Sequence, residues 1–597
     1  MNARTFSLAG FLALLALASP AGADENARAA DFYERVQAEY YESNPIAAAF
    51  QGMRLRYGEW NDGSEAGEEQ RLAMARRHSE QLQQDIDREK LDAQGQLSYD
   101  LFLDQQRRRI EGWPWRLHGY VFDHRSGPHS WAPAFLINTH RVESEQDARD
   151  YVSRLRGILV LVADALERAS RAEEQGILPP RWVFPQIVDG ARNVITGRPF
   201  DDSAADSPLL ADFRTKLGRL QLDEAQAAAL MASAERAMLE FVEPAYEAVI
   251  AWASAAEARA SGDDGVWKLP DGEAYYQQRL VDYTTTSLTA EEIHQIGLRE
   301  VARIHAEMRE LMGRVGFKGS LQEFFEFIRS DERFYYPDTD EGRAAYLAEA
   351  TRMIEAMRER LPELFHREPK APMVVKAVEP FREASAGKAF YQRPAPDGSR
   401  PGVYYVNLYR MRDMPKTEME SLAYHEGIPG HHMQLALSIE QEDLPMFRRQ
   451  AGYTAYTEGW GLYSERLPRE IGFYQDPYSD FGRLTLELIR AVRLVVDTGL
   501  HAKRWTREQV IQYHLDNTPL PEGSVVRATE RYIVTPGQAT AYMIGQLKLL
   551  ELRKRATDAL GEAFDVRDFH ERVLESGPVP LDVLERRIDE WIASASR

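Results

Sequence analysis

The sequence contains no cysteine. This excludes disulfides, thiolate nucleophiles, Cys-ligated metals and a lipid carried on a cysteine. Any metal must be held by His, Asp and Glu, and stability must come from packing without covalent cross-links. A basic surplus is also missing: 73 Lys and Arg face 94 Asp and Glu, a net charge of −21. Binding to phosphate backbones needs clustered cations, so nucleic acid is disfavoured as a partner. Beyond the N-terminus no apolar run approaches the roughly 20 residues of a membrane span. The chain has no internal repeat and no low-complexity tail.

The N-terminus has the parts of a secretory signal peptide. Arg4 supplies a short basic region, Phe6 to Ala18 is apolar, and Ala21-Gly22-Ala23 is a small-x-small cleavage site before Asp24. Residues 1–23 are therefore expected to be removed, leaving a periplasmic or secreted protein. The apolar fraction is ordinary for a globular chain, and the length allows two to four domains or one large helical body.

Most of the chain predicts helix, from its Ala, Leu, Glu, Arg and Gln content and its apolar spacing of three and four. Asp24 to about Glu111 predicts two or three helices, Asp147 to Gln175 one amphipathic helix, and Ala204 to Ser261 further helix. Leu178 to Pro199, bearing Pro and Gly, predicts irregular structure. The turn-rich Ser261-Gly-Asp-Asp-Gly265 closes this part. We read 24–287 as an N-terminal helical lobe and 288–597 as a C-terminal catalytic lobe. Thr289-Ala-Glu-Glu292 has the form of a capping box, with Ile293, Ile296, Val301, Ile304 and Met308 following at helical spacing. Pro380 to Pro401 predicts loop. Val403 to Leu408, aromatic and β-branched, is the best strand. Helices follow over Ala451 to Arg466, Phe481 to Lys503 and Gln538 to Ala556.

Three of the 14 histidines fall within His425-Glu426-Gly-Ile-Pro-Gly-His431-His432. In the simple helical zinc motif the second His lies one turn after the first. That position is Pro429 here, which cannot bind metal. Pro removes a backbone donor and Gly relaxes the chain, so the helix should bulge or break and return His431 to the missing place. His432 is the alternative. On a regular helix it would lie two turns on, about 10 Å along the axis, and it fits a substrate-binding or supporting role better. Catalytic zinc takes three protein ligands and leaves one position open. Glu458, flanked by Gly459, Trp460 and Gly461, is the best third ligand, with Glu465, seven residues on and able to face the same side, as the alternative. Glu426 is then left to act as general base, taking a proton from water and passing it to the leaving amine.

His-Glu-Gly-Ile-Pro-Gly-His-His-Met-Gln434, Glu458-Gly-Trp-Gly-Leu-Tyr-Ser-Glu465, Thr535-Pro-Gly-Gln-Ala539 with Tyr542 and Gly545, and Gly402 to Asn407 together resemble the bacterial "domain of unknown function 885" proteins. The resemblance covers essentially the whole mature chain. That family is in turn similar to helical gluzincin metallopeptidases such as carboxypeptidase Taq and neurolysin. It implies a mostly α, two-lobed metallopeptidase-like fold with a deep channel and a small β element near the metal. It also implies one zinc per chain on His425, His431 and Glu458, with Glu426 as the catalytic base. The Pro-Gly insertion departs from those peptidases and leaves the choice between His431 and His432 open.

Supporting residues follow from the same blocks. Tyr532 or Tyr542 is a candidate donor to the oxyanion. Arg527 could clamp a substrate carboxylate, or form a surface ion pair. Asp497 and His501, four apart on one helix face, are candidates to orient a metal ligand. If Val403 to Leu408 were an exposed edge strand, a peptide could add to it, with Asn407 facing the cleft. The function this predicts is an exported zinc peptidase acting on short or unfolded peptides. Its rivals are a zinc hydrolase of non-standard amides or cell-wall peptides, and a non-catalytic peptide- or metal-binding protein.

Overall fold

The long segments rich in good helix formers are helices, and among the described residues strand is confined to three short pieces. The computed structural model describes residues 24–378, 383, 386–398 and 400–595. The expected signal peptide lies outside them. Among the described residues no helix is long and apolar enough to cross a membrane.

Asp24 to Glu111 resolves into helices Glu25–Ser43, Pro45–Phe50, Glu65–Asp85 and Ala93–Gly112. The amphipathic helix expected next is Glu145–Glu174. Leu178 to Pro199 is not irregular as expected, because it holds the helix Val183–Val194. Pro185 falls in the first turn of that helix, where a missing N–H costs nothing, so it does not act as a breaker.

Eight helices place the candidate site: α1 Gly272–Thr284, α2 Ala290–Arg314, α3 Lys416–Glu426, α4 His431–Glu440, α5 Thr454–Ser464, α6 Pro477–Ala502, α7 Glu522–Val534 and α8 Ala541–Leu560. α2 opens with the anticipated capping box, in which Thr289 and Glu292 satisfy each other's backbone N–H. α6 is buried along almost its whole length and packs on α2, α3 and α8. The largest apolar core runs from Leu117 through Ile293 and Val495 to Leu581, so it crosses residue 287 without interruption. A second core, including Tyr404, Met419, Ile428, Met433 and Trp460, lies beneath the His-Glu motif.

The sheet has the order β1-β3-β2, with β1 Met373–Ala377, β2 Ala389–Gln392 and β3 Gly402–Val406. β1 runs parallel to β3 and β2 antiparallel to it. This corrects two expectations. β2 lies inside the stretch read as loop. β3, the strand legible in the sequence, is central and buried at every position, so neither of its edges is free to accept a peptide. Asn407 does not face a cleft either. Its side-chain amide donates to the carbonyls of Glu383 (2.8 Å) and Ala386 (3.1 Å), tying down the loop before β2.

Candidate metal centre

α3 ends at Glu426 and α4 begins at His431, with the helix broken between them. At Gly430 the chain turns back on itself so sharply that a β-carbon there would lie 2.0 Å from the His425 carbonyl. Only glycine allows that approach. The buried Trp460 indole donates to the Pro429 carbonyl at 3.0 Å and holds the turn in place. The break restores the position that an uninterrupted helix would have lost. The His425 and His431 rings meet edge to face with centroids 4.7 Å apart.

α5 brings Glu458 to these two rings. Its Oε2 lies 3.7 Å from His425 Nε2 and 3.4 Å from His431 Nε2. The three ligand atoms all fall within 4.8 Å of one another. Ligands on a tetrahedral ion with bonds of about 2.0–2.1 Å sit roughly 3.3 Å apart, so the spacing is near what zinc needs. Two nitrogens and one carboxylate oxygen are also a donor set zinc accepts.

His425 is held for this task. Its Nδ1–H donates to Glu465 Oε1 at 2.8 Å, which fixes the tautomer and leaves Nε2 facing Glu458. Glu465 is itself fixed by the Ser421 hydroxyl at 2.8 Å and by Arg490 at 3.5 Å. Glu465 therefore stands behind His425, on the far side of the ring from Glu458. α5 can come this close because position 461 is glycine. A β-carbon there would lie 2.7 Å from the His425 ring.

Burial alone would lower the His425 pKa, but hydrogen bonding to the acceptor carboxylates of Glu458 and Glu465 outweighs it and raises it to about 10. Burial pushes Glu458 up, and the two imidazoles reverse this and hold it well below the usual carboxylate range. Glu458 nevertheless keeps 21% of its side chain exposed, so it lines a recess. Glu426 is buried, its Oε2 lacks a protein partner, and burial raises its pKa. A proton acceptor poised above the ordinary carboxylate range suits a general base.

Other expected residues fall elsewhere. His432 is fully buried; its Nδ1 meets the Tyr391 hydroxyl of β2 at 2.8 Å, so it props the sheet and cannot touch substrate. Arg527 pairs with Asp413 at 2.8 Å, the ion pair and not a free clamp. Asp497 and His501 bond neither to each other nor to a metal-site residue. Asp497 accepts from the Tyr276 hydroxyl (2.6 Å) and the Gly537 N–H (3.0 Å). His501 lies between the Val266 N–H and the Tyr532 carbonyl. They lock α6 to α1 and to the end of α7.

The two tyrosines part company. Tyr532 is fully buried, and its hydroxyl accepts from Arg493 Nε at 3.2 Å, so it supports a neighbour and does not face substrate. Burial would raise its pKa, but Arg493 and Arg531 together lower it. Tyr542 is half-buried, with Arg493 over its ring at 4.6 Å and Arg490 at 5.8 Å. Since Arg490 also reaches Glu465, Tyr542 is one side chain removed from the partner of His425. Sequence reasoning missed Arg490 and Arg493. Nothing in the local sequence marks them out, and only the burial of α6 does.

The family match agrees with the extent of these features. The chain belongs to the bacterial proteins of unknown function DUF885, whose family profile matches residues 45–588. It is similar to the crystal structure of a "putative lipoprotein" from Colwellia psychrerythraea, with 33% identity, a TM-score of 0.90, and coverage of 96% of this chain and 100% of that one. A "putative lipoprotein of unknown function" from Shewanella oneidensis shares the fold, with 20% identity, a TM-score of 0.72, and coverage of 94% and 99%. No curated protein matches the chain.

Proposed function

We propose that this protein is an exported zinc-dependent peptidase whose ligands are His425, His431 and Glu458. The observation that carries the reading is the convergence of two imidazoles and a carboxylate at ligand spacing, next to a buried carboxyl, Glu426, with an unpartnered oxygen. A site that only stored metal would have no use for that fourth group.

Zinc bound there would supply Lewis acidity, lowering the pKa of water and polarising a carbonyl. The chain's own groups do the rest. Glu426 takes the proton of the attacking water on its carboxylate and returns it to the departing amine nitrogen. Glu465 keeps the His425 ring oriented throughout. The Tyr542 hydroxyl donates to the oxygen that gains charge as the carbonyl is attacked. The peptidase resemblance read from the motif blocks points to peptide bonds as the substrate class. The lipoprotein label of the two neighbours does not extend to a lipid here, because this sequence has no cysteine to carry one.

The test is a peptide panel with zinc-loaded parent protein and Glu426→Gln. We expect about one zinc in both, hydrolysis by the parent, and turnover lower by a factor of about 10²–10⁴ in the variant. Equal activity in both proteins, or no hydrolysis of any peptide by the loaded parent, would overturn the reading.

A further inference from the structure

Most arginines of this acidic chain pair with a carboxylate. Three that lie together do not. Arg125, Arg493 and Arg531 take part in no ion pair among the described residues, though they come from the loop before the helix Pro128–Asn138, from α6 and from α7. Arg493 and Arg531 belong to a closed ring of contacts. Arg493 Nε donates to the Tyr532 hydroxyl at 3.2 Å. Arg531 stacks over the Tyr532 ring at 5.0 Å, and its Nη1 donates to Gln538 Oε1 at 2.8 Å. Gln538 Nε2 reaches the Tyr542 hydroxyl at 3.5 Å, and Arg493 covers the Tyr542 ring at 4.6 Å.

Both arginines are anchored by neutral partners and keep charge to spare. Arg493 Nη1 and Arg531 Nη2 have no hydrogen-bond partner. Arg125 is open to solvent, yet its pKa is lowered, first by the protein around it and then by the charge of Arg531. An exposed group that is still desolvated lines the wall of a recess. Glu458 shows the same combination, and its charge is among those acting on Arg493. Gathering guanidinium groups with no carboxylate in ion-pair contact is unfavourable, and such a cluster is satisfied by an anion brought from outside.

We propose that Arg493 and Arg531, with Arg125 at the rim, form a carboxylate subsite that takes the free C-terminus of the substrate, so that the protein removes residues from the C-terminal end of peptides. This rests on the peptidase reading above for its chemistry, but not for its binding. The charge of Glu458 acts on Arg493, so an anchored carboxylate would lie within electrostatic reach of the metal ligands. The cut then falls within a few residues of the chain end. Tyr542, stacked on Arg493, would face the bond between the two.

The test is calorimetric binding of an N-acetylated dipeptide and of its C-terminal amide to Glu426→Gln protein, with no turnover required. The free acid is expected to bind about tenfold or more tightly than the amide. Arg493→Gln and Arg531→Gln are each expected to remove that preference while leaving amide binding nearly unchanged. Equal binding of acid and amide to the Glu426→Gln protein, or no binding of the acid, would overturn the subsite without use of either arginine variant. An acid preference that survives in both arginine variants would overturn its assignment to these residues. If the preference is present but the zinc-loaded parent cleaves no peptide, the subsite stands and the peptidase reading falls.

Discussion

At the scale of single residues, the candidate centre separates ligands from their supports. His431 and His432 are neighbours in sequence, but one faces Glu458 and the other lies under β2. We therefore expect His425→Ala, His431→Ala and Glu458→Ala each to abolish stoichiometric zinc. His432→Ala should keep the zinc and lower the melting temperature, because the Tyr391 hydroxyl loses its partner inside the protein. Metal analysis and thermal melts of the same preparations check both, and zinc lost in His432→Ala alone would reverse the assignment. Glu465→Gln keeps an acceptor beside His425 but removes its charge. It should weaken zinc binding by about 10–100-fold, as changes behind a liganding histidine commonly do. A competition titration against a chelator measures this directly.

The same scale shows what the sequence could and could not disclose. His425, Glu426 and His431 were legible because they fall in one short segment whose Pro and Gly announce a break. Glu458 was legible from the need for a third ligand and the glycines beside it. Arg493 and Arg531 carry no local signal, since their meaning depends on being half-buried with no carboxylate in ion-pair contact, a fact of tertiary structure. His432 misled because proximity in sequence says nothing about the face of a helix that begins one residue earlier.

At the scale of elements, the site depends on how close α5 and α3 can lie. Gly461 sits inside α5, where alanine would ordinarily stabilise a helix by about 0.5–1 kcal/mol. Here the added carbon would lie 2.7 Å from a ring held on one side by Glu465 and facing Glu458 on the other. The ring has nowhere to move. Gly461→Ala should therefore cost about 1–3 kcal/mol, as overpacking typically does, and should weaken zinc binding with it. Chemical denaturation checks the sign, and a more stable variant would show that the helices can separate freely. The helices were predictable from local pattern, and the strands less so. β1 and β2 are short and only partly buried, and their pairing with β3 is what makes them strands.

At the scale of the whole molecule, Asp497 ties together parts that are far apart in the chain. It joins α6 to Tyr276 of α1 and to Gly537 beyond α7, with its second oxygen unpartnered. Burial raises its pKa to about 7. The native state then holds a proton that the unfolded chain has already released, over the window from about pH 4 to pH 7. Stability from this group accordingly falls as pH rises through that window, by up to about 4 kcal/mol. Asp497→Asn should be close to the parent in stability near pH 4 and gain on it steadily toward pH 7. Parallel stability curves for the two proteins across that range would show that Asp497 does not titrate there.

Arg490, Arg493, Asp497 and His501 recur at intervals of three and four residues along one face of α6. They reach, in order, Glu465, Tyr532, Tyr276 and the Tyr532 carbonyl. The helix is thus a ruler about 16 Å long, carrying marks for the metal support, the anion cluster and the structural lock. A ruler tolerates exchanged marks far better than changed length. One residue inserted between 493 and 497 would turn the later marks by about 100°, leaving the metal support in place but the lock facing the wrong way. Insertions and deletions should therefore be excluded from this stretch of the gene even where substitutions are accepted.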